Sequence, residues 1–180
     1  ARRAMEMSAE VTMVCGAVDV PVPAVDRKIE AVTASEMKET VLDQFASHDI
    51  LIMTAAVSDY RPSSPGEGKI RRKGDSLTLK LEKTDDILKM AGDRKGKLQK
   101  TVGFALESSE DDRAAMKKLK EKNCDLIVLN VIGEQTGFTA PTNRITIFGR
   151  EGKILSTELI TKDEAAGVIL NQLVEEGSGD

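Results

Sequence analysis

The amino-acid sequence predicts an α/β fold in which helices cover a doubly wound, mostly parallel sheet. Apolar runs of strand length alternate with amphipathic stretches, and helices of about 10–15 residues between strands are typical of βαβ units. Residues 50–56 (ILIMTAA) and 124–131 (CDLIVLNV) are almost continuously apolar, as parallel strands buried on both faces are. A chain of 180 residues suits one such domain, and we predict a single domain over residues 1–180.

The first third of the chain predicts two strands, a helix and a third strand. Residues 11–16 and 28–32 have the composition of short strands, and a proline-rich stretch connects them. Thr33 followed three residues later by Glu36 is a capping-box pattern that starts a helix. Apolar residues then recur at helical spacing as far as Phe45. The buried strand at residues 50–56 follows this helix.

The middle of the chain predicts a β-hairpin arm and a short helix. Residues 69–84 contain two strand-like runs on either side of Gly74 and Asp75, the composition of a hairpin turn. We therefore expect an arm that protrudes from the sheet over residues 69–84. Two consecutive acids, Asp85 and Asp86, then begin a short helix, and residues 100–107 form the next strand.

The last third predicts a helix, a strand, a second hairpin and a final helix. Residues 109–123 are acidic at their start and basic at their end, as the helix dipole favours. The apolar strand at 124–131 follows. Residues 143–160 predict the second hairpin, and residues 161–177 predict an amphipathic helix.

Composition excludes several classes of protein. The net charge is −4 and aromatic residues make up only 3% of the chain, which argues against a nucleic-acid surface built on cations or stacking rings. No apolar run approaches the roughly 18 residues of a membrane span. One His and two distant cysteines, Cys15 and Cys124, do not make a zinc site. We expect buried, reduced thiols, no metal ligands in the chain, no nucleic-acid or membrane partner, and a cytoplasmic location.

Ligands of doubly wound sheets bind beyond the carboxyl ends of the strands, and two charged residues follow residues 50–56. Asp59 could accept ribose hydroxyls, hold a metal or cap a loop. Lys69 lies after a stretch rich in Pro, Ser and Gly, a composition found in mobile lids. Its ammonium could close over a phosphate, or it could be a solvated hairpin residue.

Other candidates have equally open interpretations. Asp85 and Asp86 could cap a helix or mark a helix N-terminus that receives a ligand. Lys118 and Lys122 share one helix face, and they would form a phosphate clamp only if that helix borders the site. Phe104 could contact a base or fill the core.

Five segments occur in an order that carries a family resemblance. They are AAVSDYRP with GKI shortly after it, TDDIL, VGFALE, KKLKEKNCDLIVLN and GFTAPTNRITIF. Together they resemble phosphopantothenoylcysteine synthetase, the second enzymatic half of the bifunctional coenzyme A biosynthesis flavoprotein. The resemblance runs from about Arg2 to the end of the chain.

The resemblance implies a Rossmann-like domain that ligates 4'-phosphopantothenate to cysteine. CTP activates the carboxylate of phosphopantothenate to an acyl-cytidylate with loss of pyrophosphate, and the amine of cysteine then displaces CMP. Mg²⁺ accompanies the triphosphate, and FMN would be needed only if a flavoprotein decarboxylase domain precedes this chain. Family members are homodimers, and the resemblance implies that the arm at 69–84 contributes to the dimer.

The same resemblance implies roles for individual residues. Lys69 corresponds to the catalytic lysine that closes on the reacting phosphate. The residues that correspond to the nucleotide-binding positions are Met53, Thr54, Ala55, Asp59, Asp85, Asp86, Ile87, Leu88, Phe104, Lys118 and Lys122.

The chain departs from the family pattern at several positions. Pro141 and Val131 stand where acids are common, and Asp85 stands where proline is common. The family's first strand and its glycine-rich turn have no counterpart in the sequence, so we expect a domain that lacks both. Two other functions remain open: a non-catalytic nucleotide-binding or oligomerisation module, and an NAD(P)-dependent oxidoreductase of Rossmann type.

Overall fold

A computed structural model describes residues 1–18, 20–64, 68, 76–107, 111–133, 135–136 and 140–175. The helices and strands run, in chain order, α1 (Arg2–Glu6), β1 (Thr12–Cys15), β2 (Arg27–Glu30), α2 (Ala34–Phe45), β3 (Ile50–Met53), β4 (Tyr60–Pro62), β5 (Leu81–Lys83), α3 (Ile87–Arg94), β6 (Lys100–Glu107), α4 (Asp112–Lys122), β7 (Leu126–Val131), β8 (Thr142–Asn143), β9 (Ile145–Gly149), β10 (Gly152–Ser156), β11 (Ile160–Thr161) and α5 (Lys162–Glu175).

A five-stranded sheet in the order β10-β9-β7-β6-β3 forms the centre of the fold. Strands β3, β6 and β7 are parallel, and the hairpin of β9 and β10 extends the sheet antiparallel to β7. One face packs against α3 and α4 in a cluster that contains Leu88, Leu119 and Ile127. The other face packs against α5 in a cluster that contains Val128 and Ile169. The predicted doubly wound α/β fold is confirmed.

Strands β1 and β2 pair with each other in parallel but are not hydrogen-bonded to the central sheet. Both β1 and β3 nevertheless contact the same helix, since Val14 of β1 and Leu51 of β3 pack against one cluster that contains Met37 and Val41 of α2. The two strands therefore lie under one helix, and each has one edge that pairs with no described strand.

The structure revises parts of the predicted strand pattern. Residues 54–56, predicted within a buried strand, follow the end of β3 and are exposed. Within the predicted arm, the described residues include the strand β5. It pairs antiparallel with β4, which precedes the predicted arm in the sequence. Residues 69–75, which include the predicted first strand and turn of that hairpin, lie outside the described residues. The second predicted hairpin is confirmed as β9 and β10.

A buried ion pair joins four elements at the amino end of the sheet, far from the carboxyl ends of the strands. Asp125, 8% exposed, accepts hydrogen bonds from Lys95 Nζ at 2.5 Å and from Thr101 N at 2.7 Å. Arg150 Nη2 donates to its other oxygen at 3.2 Å. Lys95 Nζ also donates to the Asn123 carbonyl at 2.9 Å. These bonds tie the end of α3, the starts of β6 and β7, and the β9–β10 turn together.

The thiol of Cys124 is buried beside this network. Burial, outweighing the nearby Lys95 charge, raises the pKa of Cys124 to about 11. The thiol therefore stays protonated at neutral pH, and Cys15 and Cys124 are both buried free cysteines, as the sequence predicts. Among the described residues, no helix is both long and apolar enough to cross a membrane.

Two helical glycines allow a matched test of how closely α3 packs against the end of α4. A Cβ at Gly92 would lie 2.2 Å from the Lys122 carbonyl oxygen and 2.8 Å from that of Asn123, whereas a Cβ at Gly167 in α5 would meet nothing within 4 Å. We expect Gly92→Ala to lower the free energy of unfolding by about 1–3 kcal/mol, because backbone must move. Gly167→Ala should raise it by about 0.5–1 kcal/mol through helix propensity. Urea denaturation measures both values, and equal effects would contradict the close contact.

Candidate functional site

The end of β3 supplies the floor of the candidate site. Met53, its last residue, is half-buried and packs against both the α2 cluster and the α3–α4 cluster. Thr54 and Ala55 follow it outside the strand and are exposed. Since β3 is parallel to β6 and β7, these residues lie at the carboxyl edge of the sheet, where ligands of this architecture bind.

The loop after β3 is tied to the segment that leads into α3. Thr84 N donates to the Asp59 carbonyl oxygen at 2.9 Å, and the Thr84 hydroxyl donates to the Ser58 carbonyl oxygen. These bonds close the base of the β4–β5 ribbon. Ser58 and Thr84 are 26 positions apart in the sequence, and their hydrogen bond brings the segment that contains Asp59 next to the segment that contains Asp85. Asp59 is exposed.

Helix α3 begins at this point with its side chains turned inward. Asp86 is the N-cap, and its carboxylate accepts from Lys89 N at 3.0 Å. Ile87 and Leu88 are 3% and 9% exposed, and Leu88 packs over Gly103 of β6. Their side chains belong to the core, so only their backbone groups could contact a ligand at the helix N-terminus.

Two acid–lysine pairs surround the start of α3. Lys122, at the end of α4, donates to the Asp86 carboxylate. Lys38 of α2 donates to Asp85 at 2.9 Å. The hydrogen bond from Lys38, together with its charge, lowers the pKa of Asp85. Lys118 lies one turn before Lys122 and is half-buried. The site therefore contains lysines whose charge is balanced by acids. An incoming polyphosphate would compete with those acids for the lysine ammonium groups.

Lys38 was missed in the sequence because nothing local marks it. Its side chain is 25% exposed, and it lies 47 positions before Asp85 in the sequence. Only the packing of α2 against α3 brings the two together. A lysine one position after a core residue, Met37, has no pattern that distinguishes it from a solvated one.

One predicted site residue lies away from this group, and another lies outside the residues that the structure describes. Phe104 of β6 packs against the cluster under α5, on the face of the sheet opposite Leu88 and α3. Lys69 lies outside the described residues. The structure brings together Met53, Thr54, Ala55, Asp59 and the start of α3, with Lys122 beside it. Within the described ranges, no group of three or more His, Cys, Asp or Glu side chains could hold a metal ion.

Comparison with known proteins gives consistent matches along the whole chain. A family model described as the DNA/pantothenate metabolism flavoprotein C-terminal domain matches residues 1–176. A protein from an unknown prokaryotic organism, named cysteine/cysteine sulfinic acid decarboxylase, is 40% identical over 95% of this chain and 48% of its own length. The coenzyme A biosynthesis bifunctional protein CoaBC of Bacillus subtilis (strain 168) is 37% identical over 96% of this chain and 43% of its own. The chain thus spans about half the length of these curated relatives.

Solved structures match the fold as well. The C-terminal domain of a coenzyme A biosynthesis bifunctional protein CoaBC superposes with a TM-score of 0.80 and 32% identity, covering 98% of this chain and 79% of that one. A DNA/pantothenate metabolism flavoprotein from Streptococcus pneumoniae gives a TM-score of 0.78 at 19% identity, covering 97% and 85%. The second likeness concerns the fold alone.

Proposed function

The chain belongs to the family of the DNA/pantothenate metabolism flavoprotein C-terminal domain, and from this premise we propose that it is a phosphopantothenate–cysteine ligase domain of coenzyme A biosynthesis. The observation that carries the proposal is the match to the isolated C-terminal domain of CoaBC, at 32% identity over 98% of this chain. The decarboxylase name of the first relative belongs to a whole protein of which the chain covers 48%, so it weighs less.

In the proposed reaction, a carboxylate oxygen of 4'-phosphopantothenate attacks the α-phosphorus of CTP, and the bond to pyrophosphate breaks. The amine of cysteine then attacks the acyl carbon, loses a proton, and displaces CMP. The first step brings anions together, so fixed cations must offset their repulsion. We assign this role to Lys122, whose ammonium pairs with Asp86 at the start of α3, and to Lys118, one turn before it in α4. Lys69 is proposed as the cation that closes on the reacting phosphate.

The site residues fit Mg²⁺ that arrives with the triphosphate. Mg²⁺ in nucleotide sites is usually held by one or two carboxylates together with substrate phosphates. Asp59 offers an exposed carboxylate at the end of the β3 loop, and Asp86 offers a second beside Lys122. Bound there, the ion would neutralise phosphate charge. Thr54, Ala55 and the backbone at the start of α3 would hold the nucleoside.

Experimentally, the complete protein should form an acyl-cytidylate from CTP and phosphopantothenate when cysteine is withheld, visible by mass spectrometry. Added cysteine should then release CMP, and ATP in place of CTP tests nucleotide choice. Absence of both the intermediate and CMP would overturn the ligase proposal. Binding of CTP without turnover would favour a nucleotide-binding module, and binding of NADH without response to CTP would favour an oxidoreductase.

The first strand and glycine-rich turn of a doubly wound sheet would have a place beside β1 and β3, since each of these strands has one edge that pairs with no described strand. We propose that a parallel strand pairs with both open edges there. Support comes from α2, which packs against both strands, and from Ile50 and Ile52, which are 41% and 37% exposed on the other face of β3. Such a strand would place its glycine-rich turn beside the carboxyl end of β3, at the candidate site.

The arm over residues 69–84, whose described strand β5 pairs with β4, is the proposed dimer contact. Leu77, Leu79 and Leu81 alternate along it and are 51–64% exposed, as is Tyr60 at 61%. A two-stranded ribbon is marginal in water, and an exposed apolar row of this kind marks an interaction surface. We expect Leu79→Lys to convert a dimer to a monomer in sedimentation velocity, while Leu98→Lys, at an 81% exposed site away from the arm, should leave the dimer intact. A Leu79→Lys variant that remains a dimer would contradict the assignment of the arm as the dimer contact.

A further inference from the structure

A cleft lies at the amino end of the central sheet, away from the candidate functional site. It has a volume of about 600 Å³ and is lined by the start of β6, the start of β7 and the turn that joins β9 to β10. Clefts of this size typically hold small molecules. Strand β6 is eight residues long and each residue of a strand advances about 3.3 Å, so about 23 Å of strand separates this amino-end cleft from the carboxyl edge of the sheet.

The walls of the amino-end cleft are more positive than the chain as a whole. Lys100, Arg150 and Lys153 line it together with two acids, Asp125 and Glu151. Asp125 already belongs to the buried ion pair at this end of the sheet, so among the described lining residues Glu151 is the acid that opposes three cations. The chain carries a net charge of −4, and a cleft of the opposite sign attracts anions.

Arg150 is held in place from one side only. Its Nη2 donates to Asp125 Oδ1 at 3.2 Å and to Asn123 Oδ1 at 3.3 Å. The amide nitrogen of Asn123 in turn donates to the Gly92 carbonyl oxygen at 2.8 Å. Among the described residues, Nε and Nη1 of Arg150 have no hydrogen-bond partner, and the side chain is 58% exposed. The guanidinium is therefore anchored but keeps donors for a ligand, and guanidinium groups bind phosphate oxygens in pairs.

Lys153 and Ile154 line the cleft from β10. Lys153 is exposed and forms no ion pair within the part of the chain that the structure describes. The register of β10 against β9 shifts between Lys153 and Leu155. Ile154 lies at this shift and is 41% exposed. The cleft thus combines cations with one apolar side chain, so it suits a ligand with a charged group and an organic part.

We propose that the amino-end cleft is a second ligand site, which binds the phosphate group of a small phosphorylated metabolite with the organic part against Ile154. A phosphomonoester carries a charge of about −1.5 to −2 at pH 7, which matches Arg150 and Lys153 together. A carboxylate carries half of that charge. The site is independent of the proposed ligase reaction, since none of its residues belongs to the candidate functional site.

Acetylation of lysines, followed by peptide mass spectrometry, tests this site in the complete protein. Phenyl phosphate is the probe, and the ionic strength is kept constant so that charge screening does not vary. At about four times its dissociation constant, the probe should slow the acetylation of Lys153 about fivefold by mass action. Lys117, which is 75% exposed on α4, should react at an unchanged rate. Phenol should protect neither lysine.

Inorganic phosphate distinguishes an organic ligand from a simple ion. Because it cannot contact Ile154, it should need a concentration about three to ten times higher than phenyl phosphate to protect Lys153 to the same extent. Equal concentrations would overturn the assignment of an organic phosphate. Lys153 that reacts at the same rate with and without phenyl phosphate would overturn the site itself.

Variants of Arg150 test the role of the guanidinium. Arg150→Met should raise the phenyl phosphate concentration that half-protects Lys153 about tenfold, the value of one charge-assisted hydrogen bond. Arg150→Lys keeps a cation beside Asp125 and should raise it about threefold, because an ammonium lacks the paired donors. The matched control is Arg144→Met, at a 54% exposed arginine beside Glu158, which should behave as wild type. If Arg150→Met does not fold, Arg150→Lys decides: a folded Arg150→Lys protein with wild-type protection would overturn the assignment.

Discussion

Replacing Asp125 by alanine is expected to lower the free energy of unfolding by about 3–5 kcal/mol, because it leaves the Lys95 ammonium buried without its counter-ion. Both side chains are about one-tenth exposed. The same substitution removes the acceptor of Thr101 N, and Thr101 is fully buried. Urea denaturation monitored by circular dichroism measures the loss. The site at the carboxyl edge lies at the other end of the strands, so ligand contacts are not changed directly.

The pH dependence of stability should report the same group. Burial alone would raise the pKa of Asp125, but the hydrogen bonds from Lys95 and Thr101 N, with the charges of Lys95 and Arg150, outweigh it and lower the pKa. A carboxyl whose pKa is lower in the folded state stabilises the fold above its unfolded pKa of about 3.9. That stabilisation is lost as the pH falls from there through the folded pKa. The wild type should therefore lose more stability than Asp125→Ala below about pH 4.

Two variants make the prediction specific to a buried pair. Asp93 forms an ion pair with Lys89 at 2.9 Å in which both side chains are 50% exposed, and Asp93→Asn should cost no more than about 0.5 kcal/mol. The double variant Lys95→Met/Asp125→Leu removes both charges and should recover part of the stability lost by Asp125→Ala. Equal losses for the single variants Asp125→Ala and Asp93→Asn would contradict a buried ionic hub.

Local sequence signals were enough to predict most of the fold. The capping box at Thr33 and Glu36 is formed as predicted, and the continuous apolar run at residues 126–129 is fully buried in β7. The prediction of a buried strand over residues 50–56 was wrong at its end. Ala55 and Ala56 extend an apolar run but follow the end of β3 and are exposed. Small apolar residues cost little when exposed, so composition could not mark the point at which the strand ends.

The candidate site could be predicted only in part, because it depends on contacts between distant elements. The spacing of Lys118 and Lys122 indicated one helix face, but their orientation toward Asp86 follows from the packing of α4 on α3. Lys38, which pairs with Asp85, has no local signature in the sequence. Phe104 is the opposite case. The motif that contains it is recognisable in the sequence, but the alternation of side chains along β6 places its ring on the α5 face. Which face a strand residue occupies depends on register, which the sequence alone does not fix.

Lys122→Met is expected to lower kcat/KM for CTP by about 10²–10³-fold in the complete protein, a loss of roughly 2.7–4 kcal/mol of transition-state stabilisation. In the free protein Lys122 is paired with Asp86 at the N-cap of α3. A triphosphate carries more negative charge than one carboxylate, so it can draw the ammonium from Asp86 to the reacting phosphate. Methionine keeps the length and packing of the side chain and removes only the charge. Pyrophosphate release measured against CTP concentration gives the change.

The adjacent lysines of α4 provide the control. Lys117 is 75% exposed and its Nζ lies 3.7 Å from Glu121, so it faces away from α3, and Lys117→Met should leave kcat/KM unchanged. Lys118→Met, one turn before Lys122 on the half-buried side of the helix, should lower it. Since the Lys122–Asp86 pair is only partly buried, at 25% and 32% side-chain exposure, Lys122→Met should cost no more than about 1 kcal/mol of stability. A folded Lys122→Met protein with normal turnover would show that this lysine only joins α4 to the cap of α3, and the phosphate clamp would then have to be sought among other cations.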